Sequence, residues 1–151
     1  MLMKKIFFTL ITLFTFSFGL FAQTNPVHWN YKAVDTGKNT YDLILSADVD
    51  GNWCVYSQFL KGDDGPIPTT FTFDQMKGVK FIGKVEEVGD KIEKYDELFA
   101  MKISKFKHHV EFVQKVKVDK NIKSIQGTIE FMTCNGKTCL PPTEVPFEIA
   151  L

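Results

Sequence analysis

The chain has 151 residues, a length typical of one domain. Its 44% hydrophobic and 24% charged residues exclude a disordered chain, a collagen-like chain and a multi-span membrane protein. The 18 basic side chains, all of them lysine, balance 18 acidic ones. Because arginine supplies the planar fork that suits phosphate and guanine recognition, its absence argues against a nucleic-acid partner.

Residues 1–22 have the order of a secretory signal peptide. Lys4 and Lys5 give a positive start, an apolar stretch follows, and Ala22 is a small residue at the predicted cleavage position. An uncleaved membrane anchor is the alternative, since the apolar run is only slightly shorter than a membrane span. We favour cleavage because the run is short and carries hydroxyl side chains. The predicted mature domain, 23–151, is then exported to a compartment where disulfides persist.

The mature chain has the apolar and polar alternation of β-strands, separated by turn residues, and no stretch has the apolar spacing of an amphipathic helix. In chain order, the predicted strands are 29–34, 41–49, 53–60, 69–73, 79–85, 99–103, 106–118, 125–133 and 145–151. About nine short strands predict an all-β fold, an immunoglobulin-like antiparallel β-sandwich, with a small barrel as the alternative. Glu86 and Glu87 are expected on a solvated face.

Cysteines carry the candidate chemistry of the mature chain. Cys134 and Cys139 enclose four residues that begin with the turn pair Asn135-Gly136, so a turn there can bring the two sulfurs together. The pair Pro141-Pro142 follows, and proline cannot donate to a strand ladder. The two cysteines are therefore predicted near the surface, at one end of the sandwich, where regular strand pairing stops.

The spacing of these two cysteines leaves three roles open. One is a structural disulfide, although closing so short a loop stabilises a fold by only about 2 kcal/mol. The second is a redox-active pair, because such pairs tend to be close in sequence and exposed. The third is a metal site, although zinc needs about four ligands and the chain has three cysteines and three dispersed histidines.

Segments in three parts of the mature chain resemble a known family. They are Asp50-Gly51-Asn52-Trp53-Cys54-Val55-Tyr56-Ser57-Gln58 with Gly65-Pro66-Ile67-Pro68-Thr69, then Asp96-Glu97-Leu98-Phe99, and then Cys134 through Cys139-Leu140-Pro141-Pro142. Two cysteines before a Pro-Pro pair, with an Asp-Glu-apolar loop upstream, form a fairly specific combination. The chain resembles the N-terminal periplasmic domain of the thiol:disulfide interchange protein DsbD, and the likeness covers nearly all of 23–151.

This resemblance implies an immunoglobulin-like fold and a protein-disulfide reductase relay in the periplasm. In the family, a cysteine pair takes electrons from the thioredoxin-like domain of a membrane thiol:disulfide transporter. The pair then reduces exported disulfide isomerases or cytochrome-maturation thioredoxins. No cofactor and no metal are implied, and contact with the membrane is only through the partner. Because the sequence ends at Leu151, we expect a stand-alone domain that takes electrons from a separate protein.

The resemblance also assigns roles to individual residues. It implies that Cys134 and Cys139 are the redox-active dithiol, with Cys139 forming mixed disulfides. It implies that Leu98 and Phe99 form a cap loop that covers this dithiol, with Asp96 and Glu97 beside the cap loop. It also implies that Tyr56 lines the site.

Strand parity bears on the roles of Phe99 and Cys54. Phe99 shares parity with Met101 and Ile103, so it is either a cap residue or a plain core residue of a strand. Cys54 shares a strand face with Tyr56, and we expect it to be a small buried hydrophobe, as a lone strand cysteine usually is. The change Cys54→Ala should therefore leave exchange at the cysteine pair intact.

Two functions other than a relay stay open. One is a non-enzymatic immunoglobulin-like binding or accessory module whose disulfide is inert. The other is a holdase-like periplasmic factor that binds peptides through the apolar loop. Reactivity of the cysteine pair separates the relay from the inert module. Peptide binding that survives Cys134→Ser with Cys139→Ser would identify the holdase.

Overall fold

A computed structural model describes residues 25–60 and 64–151. The predicted signal peptide, 1–22, lies outside the described residues. Every regular element within the described ranges is a β-strand. No helix in these ranges is long and apolar enough to cross a membrane. The predicted all-β fold, an immunoglobulin-like antiparallel β-sandwich, is confirmed.

The described residues form eleven strands in three antiparallel sheets. In chain order they are β1 (Val27–Gly37), β2 (Thr40–Val49), β3 (Cys54–Tyr56), β4 (Thr70–Phe73), β5 (Val79–Val88), β6 (Lys91–Asp96), β7 (Met101–Phe106), β8 (His109–Val118), β9 (Ser124–Phe131), β10 (Thr133–Cys134) and β11 (Thr143–Ala150). The sheets have the strand orders β1-β2-β8-β5, β10-β3-β7-β6 and β11-β9-β4.

The main core is formed by apolar side chains at alternate positions along these strands. Along β8, the buried residues Val110, Phe112 and Val116 alternate with more exposed polar ones, as the sequence predicts. The Phe112 ring lies 4.8 Å from the Phe71 ring of β4 and 6.3 Å from the Phe106 ring of β7, measured between centroids. Because β8, β4 and β7 belong to different sheets, Phe112 joins all three around one core.

Several predicted strand bounds are wrong. The predicted strand 106–118 is two strands, because His108 has a φ of 66° and the chain turns between β7 and β8. The predicted strand 53–60 is limited to β3, and the one predicted at 99–103 begins only at Met101. Sequence patterning does not predict β6. Its positions are exposed except the last, so it has no apolar alternation to reveal it.

One sheet places the cysteines outside the main core. In the sheet β10-β3-β7-β6, Val55 is paired with Phe106, and both side chains are buried in the main core. Alternate residues point to the opposite face, where they form a separate apolar group that we call the second cluster. It consists of buried Cys54, Tyr56, Ile103 and Cys134, with partly buried Leu60, Phe99, Met101, Met132 and Cys139.

Candidate functional site

The two closely spaced cysteines form a disulfide in a short hairpin. Cys134 and Cys139 are bonded to each other, with Cα atoms 4.1 Å apart. Just outside the pair, the Leu140 N–H donates to the Thr133 carbonyl at 2.9 Å. Among the residues described, no group of three or more His, Cys, Asp or Glu side chains is placed to hold a metal ion. The arrangement is therefore that of a disulfide site.

Asn135 organises the loop between the two cysteines. Its side-chain Oδ1 accepts hydrogen bonds from the backbone N–H groups of Lys137 and Thr138, at 3.0 and 2.9 Å. Its own N–H donates to the Thr138 carbonyl at 3.0 Å, and Gly136 has a φ of 87°, which favours glycine. The tight turn predicted from Asn-Gly is confirmed, and it holds the ends of the loop together.

The two bonded cysteines differ in exposure to solvent. Cys134 is 1% exposed, whereas Cys139 is only partly buried. A thiolate must reach a sulfur to attack it, so access controls which sulfur reacts with another protein. The geometry makes Cys139 the accessible side of the disulfide and Cys134 the internal side.

Asp96 anchors the turn that follows β6. Its carboxylate pairs with Lys105 at 2.9 Å, and both side chains are largely buried. The other carboxylate oxygen accepts a hydrogen bond from the Leu98 N–H at 3.1 Å. This places the turn, 97–100, above the second cluster, and Ala100 completes it with a φ of 52°. Asp96 thus holds the turn in place through its ion pair with Lys105 and its hydrogen bond from the Leu98 N–H.

Phe99 lies in this turn and not in a strand, so its alternative role as a plain strand residue is wrong. Its ring packs edge-on against the Tyr56 ring, with centroids 6.1 Å apart. Leu98 is 50% exposed beside it, and Glu97 is exposed to solvent. The structure therefore brings Phe99 and Tyr56 into the cluster that contains the cysteines, and leaves Leu98 and Glu97 exposed in the same turn.

Cys54 and Tyr56 occupy the interior of the second cluster. Cys54 is 2% exposed, as expected for a small buried hydrophobe, and burial raises the pKa of its thiol. Lys105 and Lys107 act in the opposite direction on that pKa. Burial also raises the pKa of Tyr56, with smaller contributions from Cys54 and Asp96. Within the described residues, the buried Tyr56 hydroxyl has no hydrogen-bond partner of standard geometry.

A small concavity reaches the internal side of the disulfide. Its volume is about 230 Å³. Its lining residues are Asn52, Cys54, Ile92, Lys94, Lys105, Lys107, Cys134, Asn135 and Gly136. Lys94 and Lys107 bring positive charge to this side of the site, whereas the charge of Lys105 is balanced by its ion pair with Asp96. Positive charge favours a thiolate over a thiol. Sequence reasoning missed these lysines because they come from β6, β7 and the residue after β7.

A buried carboxylate holds the segment after β3, and the expectation that Glu87 is solvated is wrong. Its side chain is 2% exposed and pairs with Lys91 at 2.8 Å. It also accepts hydrogen bonds from the Ser57 hydroxyl at 2.8 Å and from the Gln58 N–H at 2.7 Å. These contacts fix the chain that leaves β3 beside the second cluster. No local sequence pattern predicts these contacts, because Ser57 and Glu87 lie 30 residues apart.

Replacing Glu87 by alanine should destabilise the fold by about 2 kcal/mol, because it leaves buried donors on Ser57 and Gln58 without an acceptor. The free energy of unfolding, measured by denaturant titration, checks this. Glu86→Ala is the matched control, since Glu86 is the exposed neighbour in the same strand. Equal stability of the two variants would show that the Glu87 contacts contribute nothing.

Comparisons with known proteins give the fold. No family model matches the chain, and no curated protein matches its sequence. The N-terminal periplasmic domain of ScsB from Proteus mirabilis is 14% identical, with a TM-score of 0.55 over 81% of this chain and 44% of that chain. The reduced DsbD N-terminal domain of Neisseria meningitidis is 16% identical, with a TM-score of 0.49 over 83% and 85%. The yeast GGA1 GAE domain is 9% identical, with a TM-score of 0.48 over 87% and 96%.

Similarities at these low sequence identities bear on the fold and not on the activity. This chain also spans less than half of the ScsB chain. The role of the cysteines is therefore inferred from the hairpin in which Cys134 and Cys139 are bonded, and not from these similarities. The chain is an immunoglobulin-like β-sandwich whose fold is similar to that of the N-terminal periplasmic domain of ScsB, and it carries a disulfide-bonded cysteine pair.

Proposed function

We propose that the chain is a periplasmic thiol:disulfide exchange protein whose Cys134–Cys139 pair relays electrons. The pair takes two electrons from the thioredoxin-like domain of a membrane thiol:disulfide transporter. It passes them to exported thioredoxin-fold proteins, such as disulfide isomerases or cytochrome-maturation thioredoxins. The observation that carries the proposal is the disulfide in a short hairpin, with one accessible sulfur and one internal sulfur.

Access to the two sulfurs sets the order of steps in this relay. A thiolate of the donor attacks the Cys139 sulfur, the Cys134–Cys139 bond breaks, and Cys134 leaves as a thiolate that takes a proton. The second donor thiolate then attacks the donor's own sulfur in the mixed disulfide and releases Cys139. The donor leaves as a disulfide and the pair as a dithiol. The reduced pair repeats these steps in the opposite direction on an acceptor disulfide.

The proposed role of the 97–100 turn is to shield the reduced pair from small oxidants. Phe99 supports this role because it packs on Tyr56 within the second cluster, and Leu98 is its exposed neighbour in the turn. Replacing both Leu98 and Phe99 by alanine should speed alkylation of reduced Cys139 several-fold, because it removes apolar cover from the sulfurs. Iodoacetamide labelling followed by mass spectrometry measures this rate. Tyr95→Ala, which removes an exposed aromatic ring from the opposite face of β6, is the control; an unchanged rate in the double variant would eliminate the gate.

Trapping a mixed disulfide tests the relay itself. The probe is a purified reduced thioredoxin whose second active-site cysteine is replaced by serine, so that it cannot resolve a mixed disulfide. Mixed with the oxidised chain and quenched by alkylation, which caps the Cys134 thiol that would otherwise expel the probe, it should give a covalent adduct at Cys139. Absence of an adduct would support the inert-disulfide module. Non-covalent binding that persists in the Cys134→Ser, Cys139→Ser double variant would support the holdase.

A further inference from the structure

We propose that Cys54 is a third reacting sulfur of this site, which attacks Cys134, forms a Cys54–Cys134 disulfide and releases Cys139 as a free thiol. The inference extends the proposed function, since both need a Cys134–Cys139 bond that can exchange. It requires no partner protein, however, because all three sulfurs belong to this chain.

Strand register places the three cysteines in a row. Cys54 of β3 is directly opposite Cys134 of β10, and Cys134 is in turn opposite Cys139. Opposite residues of an antiparallel pair have Cα atoms about 4.5–5.5 Å apart and side chains on one face, and a disulfide spans roughly 4.4–6.8 Å. A Cys54–Cys134 bond therefore needs no strand movement.

The order of this row suits the exchange reaction. A thiolate attacks a disulfide from the side opposite the leaving sulfur. Here the attacked residue, Cys134, lies between Cys54 on one side and Cys139 on the other. The Thr133 hydroxyl donates to the Cys54 carbonyl at 2.8 Å and holds β10 against β3, which keeps the register fixed.

The surroundings of Cys54 contain groups that stabilise its thiolate. The Tyr56 hydroxyl is buried beside it and has no other hydrogen-bond partner of standard geometry in the described chain. A thiolate is an acceptor for that hydroxyl. Lys105 and Lys107 add positive charge on the side of the concavity that reaches both Cys54 and Cys134, and Asp96 offsets part of it through its ion pair with Lys105. Burial still opposes ionisation, so the exchange should be slow at neutral pH and faster in alkali.

The reaction balances within the chain. The Cys54 thiol loses its proton, the Cys54–Cys134 bond forms, the Cys134–Cys139 bond breaks, and the Cys139 thiolate takes up a proton. One disulfide and one thiol are present before and after, so no oxidant or reductant is consumed. The product carries a free thiol at the accessible Cys139 while the chain remains oxidised. Exchange of Cys139 with an external partner does not require Cys54, so the expectation for Cys54→Ala is unchanged.

The sequence allows the two disulfide isomers to be separated after cleavage at lysine. Lys137 lies between Cys134 and Cys139, so the three cysteines fall in the peptides 39–61, 124–137 and 138–151. The full oxidised chain is incubated without reductant at pH 7 and pH 9, alkylated with iodoacetamide, denatured, alkylated with a second isotopic reagent and digested. We expect first-reagent label on 138–151 and a disulfide joining 39–61 to 124–137, both increasing with time and with pH.

Three variants test which residues take part in the exchange. Cys54→Ala should give no label on 138–151 and only the bond between 124–137 and 138–151. Tyr56→Phe should slow the isomerisation several-fold. Cys139→Ser, oxidised with glutathione disulfide, should form the Cys54–Cys134 bond even though the original pair is gone. Glutathione retained on Cys134 without this bond would overturn the inference, and so would wild-type chain in which Cys54 is the only thiol labelled.

The labelling experiment and the thioredoxin trap together distinguish this inference from the proposed function. A chain that forms the thioredoxin adduct at Cys139 but no Cys54–Cys134 bond keeps the relay and overturns the third sulfur. A chain that forms the Cys54–Cys134 bond but no adduct supports the third sulfur and overturns the relay.

Discussion

Cys134→Ser will form a mixed disulfide with a single-cysteine thioredoxin activated as its disulfide with thionitrobenzoate, whereas Cys139→Ser will form it far more slowly. In each case the remaining thiolate of the variant attacks the thioredoxin sulfur, and thionitrobenzoate leaves. The reason is the difference in burial, since Cys139 is partly exposed and Cys134 is 1% exposed within the second cluster. With this activated single-cysteine partner, adduct formation in Cys139→Ser should fall by about a hundredfold, the factor that a local opening costing about 2.8 kcal/mol imposes.

The measurement is the rate of adduct formation on non-reducing gels, with Cys54→Ala added to both variants so that no third thiol competes. Thermal unfolding of each variant controls for loss of the fold. Equal rates for the two variants would contradict the assignment of Cys139 as the accessible sulfur. Faster reaction at Cys134 would reverse it.

Gly127→Ala should strongly destabilise the fold, because the added methyl group would meet backbone on one side and an aromatic ring on the other. Gly127 lies in β9 between β4 and β11. A Cβ atom there would overlap the Thr72 carbonyl oxygen and lie 2.6 Å from the Phe147 ring. The oxygen belongs to the backbone of β4 and cannot move without disturbing the ladder. We expect a loss of about 3 kcal/mol, at the upper end for an overpacked core.

Gly65→Ala is the matched control for this overpacking. Its added Cβ would lie 2.9 Å from the Met101 sulfur, but that sulfur belongs to a flexible side chain that can move aside. Denaturant titration of both variants should therefore give a much smaller loss for Gly65→Ala. A Gly127→Ala variant as stable as Gly65→Ala would show that the sheet β11-β9-β4 yields easily at this point.

Apolar periodicity predicts most of the fold because most strands have one buried face. It cannot find β6, which lies at the edge of its sheet with both faces largely in water. The apolar alternation also continues across the break after Phe106 and so does not reveal it. Phe106 and Val110 have the same parity, and both side chains lie in the main core although their strands belong to different sheets. The left-handed residue at the break, His108, carries no sequence signal for it.

The candidate site is predictable only where its residues are local in sequence. The hairpin of Cys134 and Cys139 follows from the Asn-Gly turn and their spacing. The pairing of Cys54 with Cys134 depends on a contact between residues far apart along the chain, which a single sequence does not specify. The same holds for the ion pair of Asp96 with Lys105, in which a carboxylate expected beside the cap instead anchors its turn.

The reduction potential of the Cys134–Cys139 pair tests the central claim most directly. We would titrate the Cys54→Ala variant in a series of glutathione buffers, so that one pair is measured, and quantify the reduced fraction by alkylation and mass spectrometry. The relay predicts rapid equilibration and a potential well above about −300 mV, the region below which structural disulfides resist the glutathione pool. A pair that stays oxidised in the most reducing buffer would be a structural disulfide and would contradict the relay.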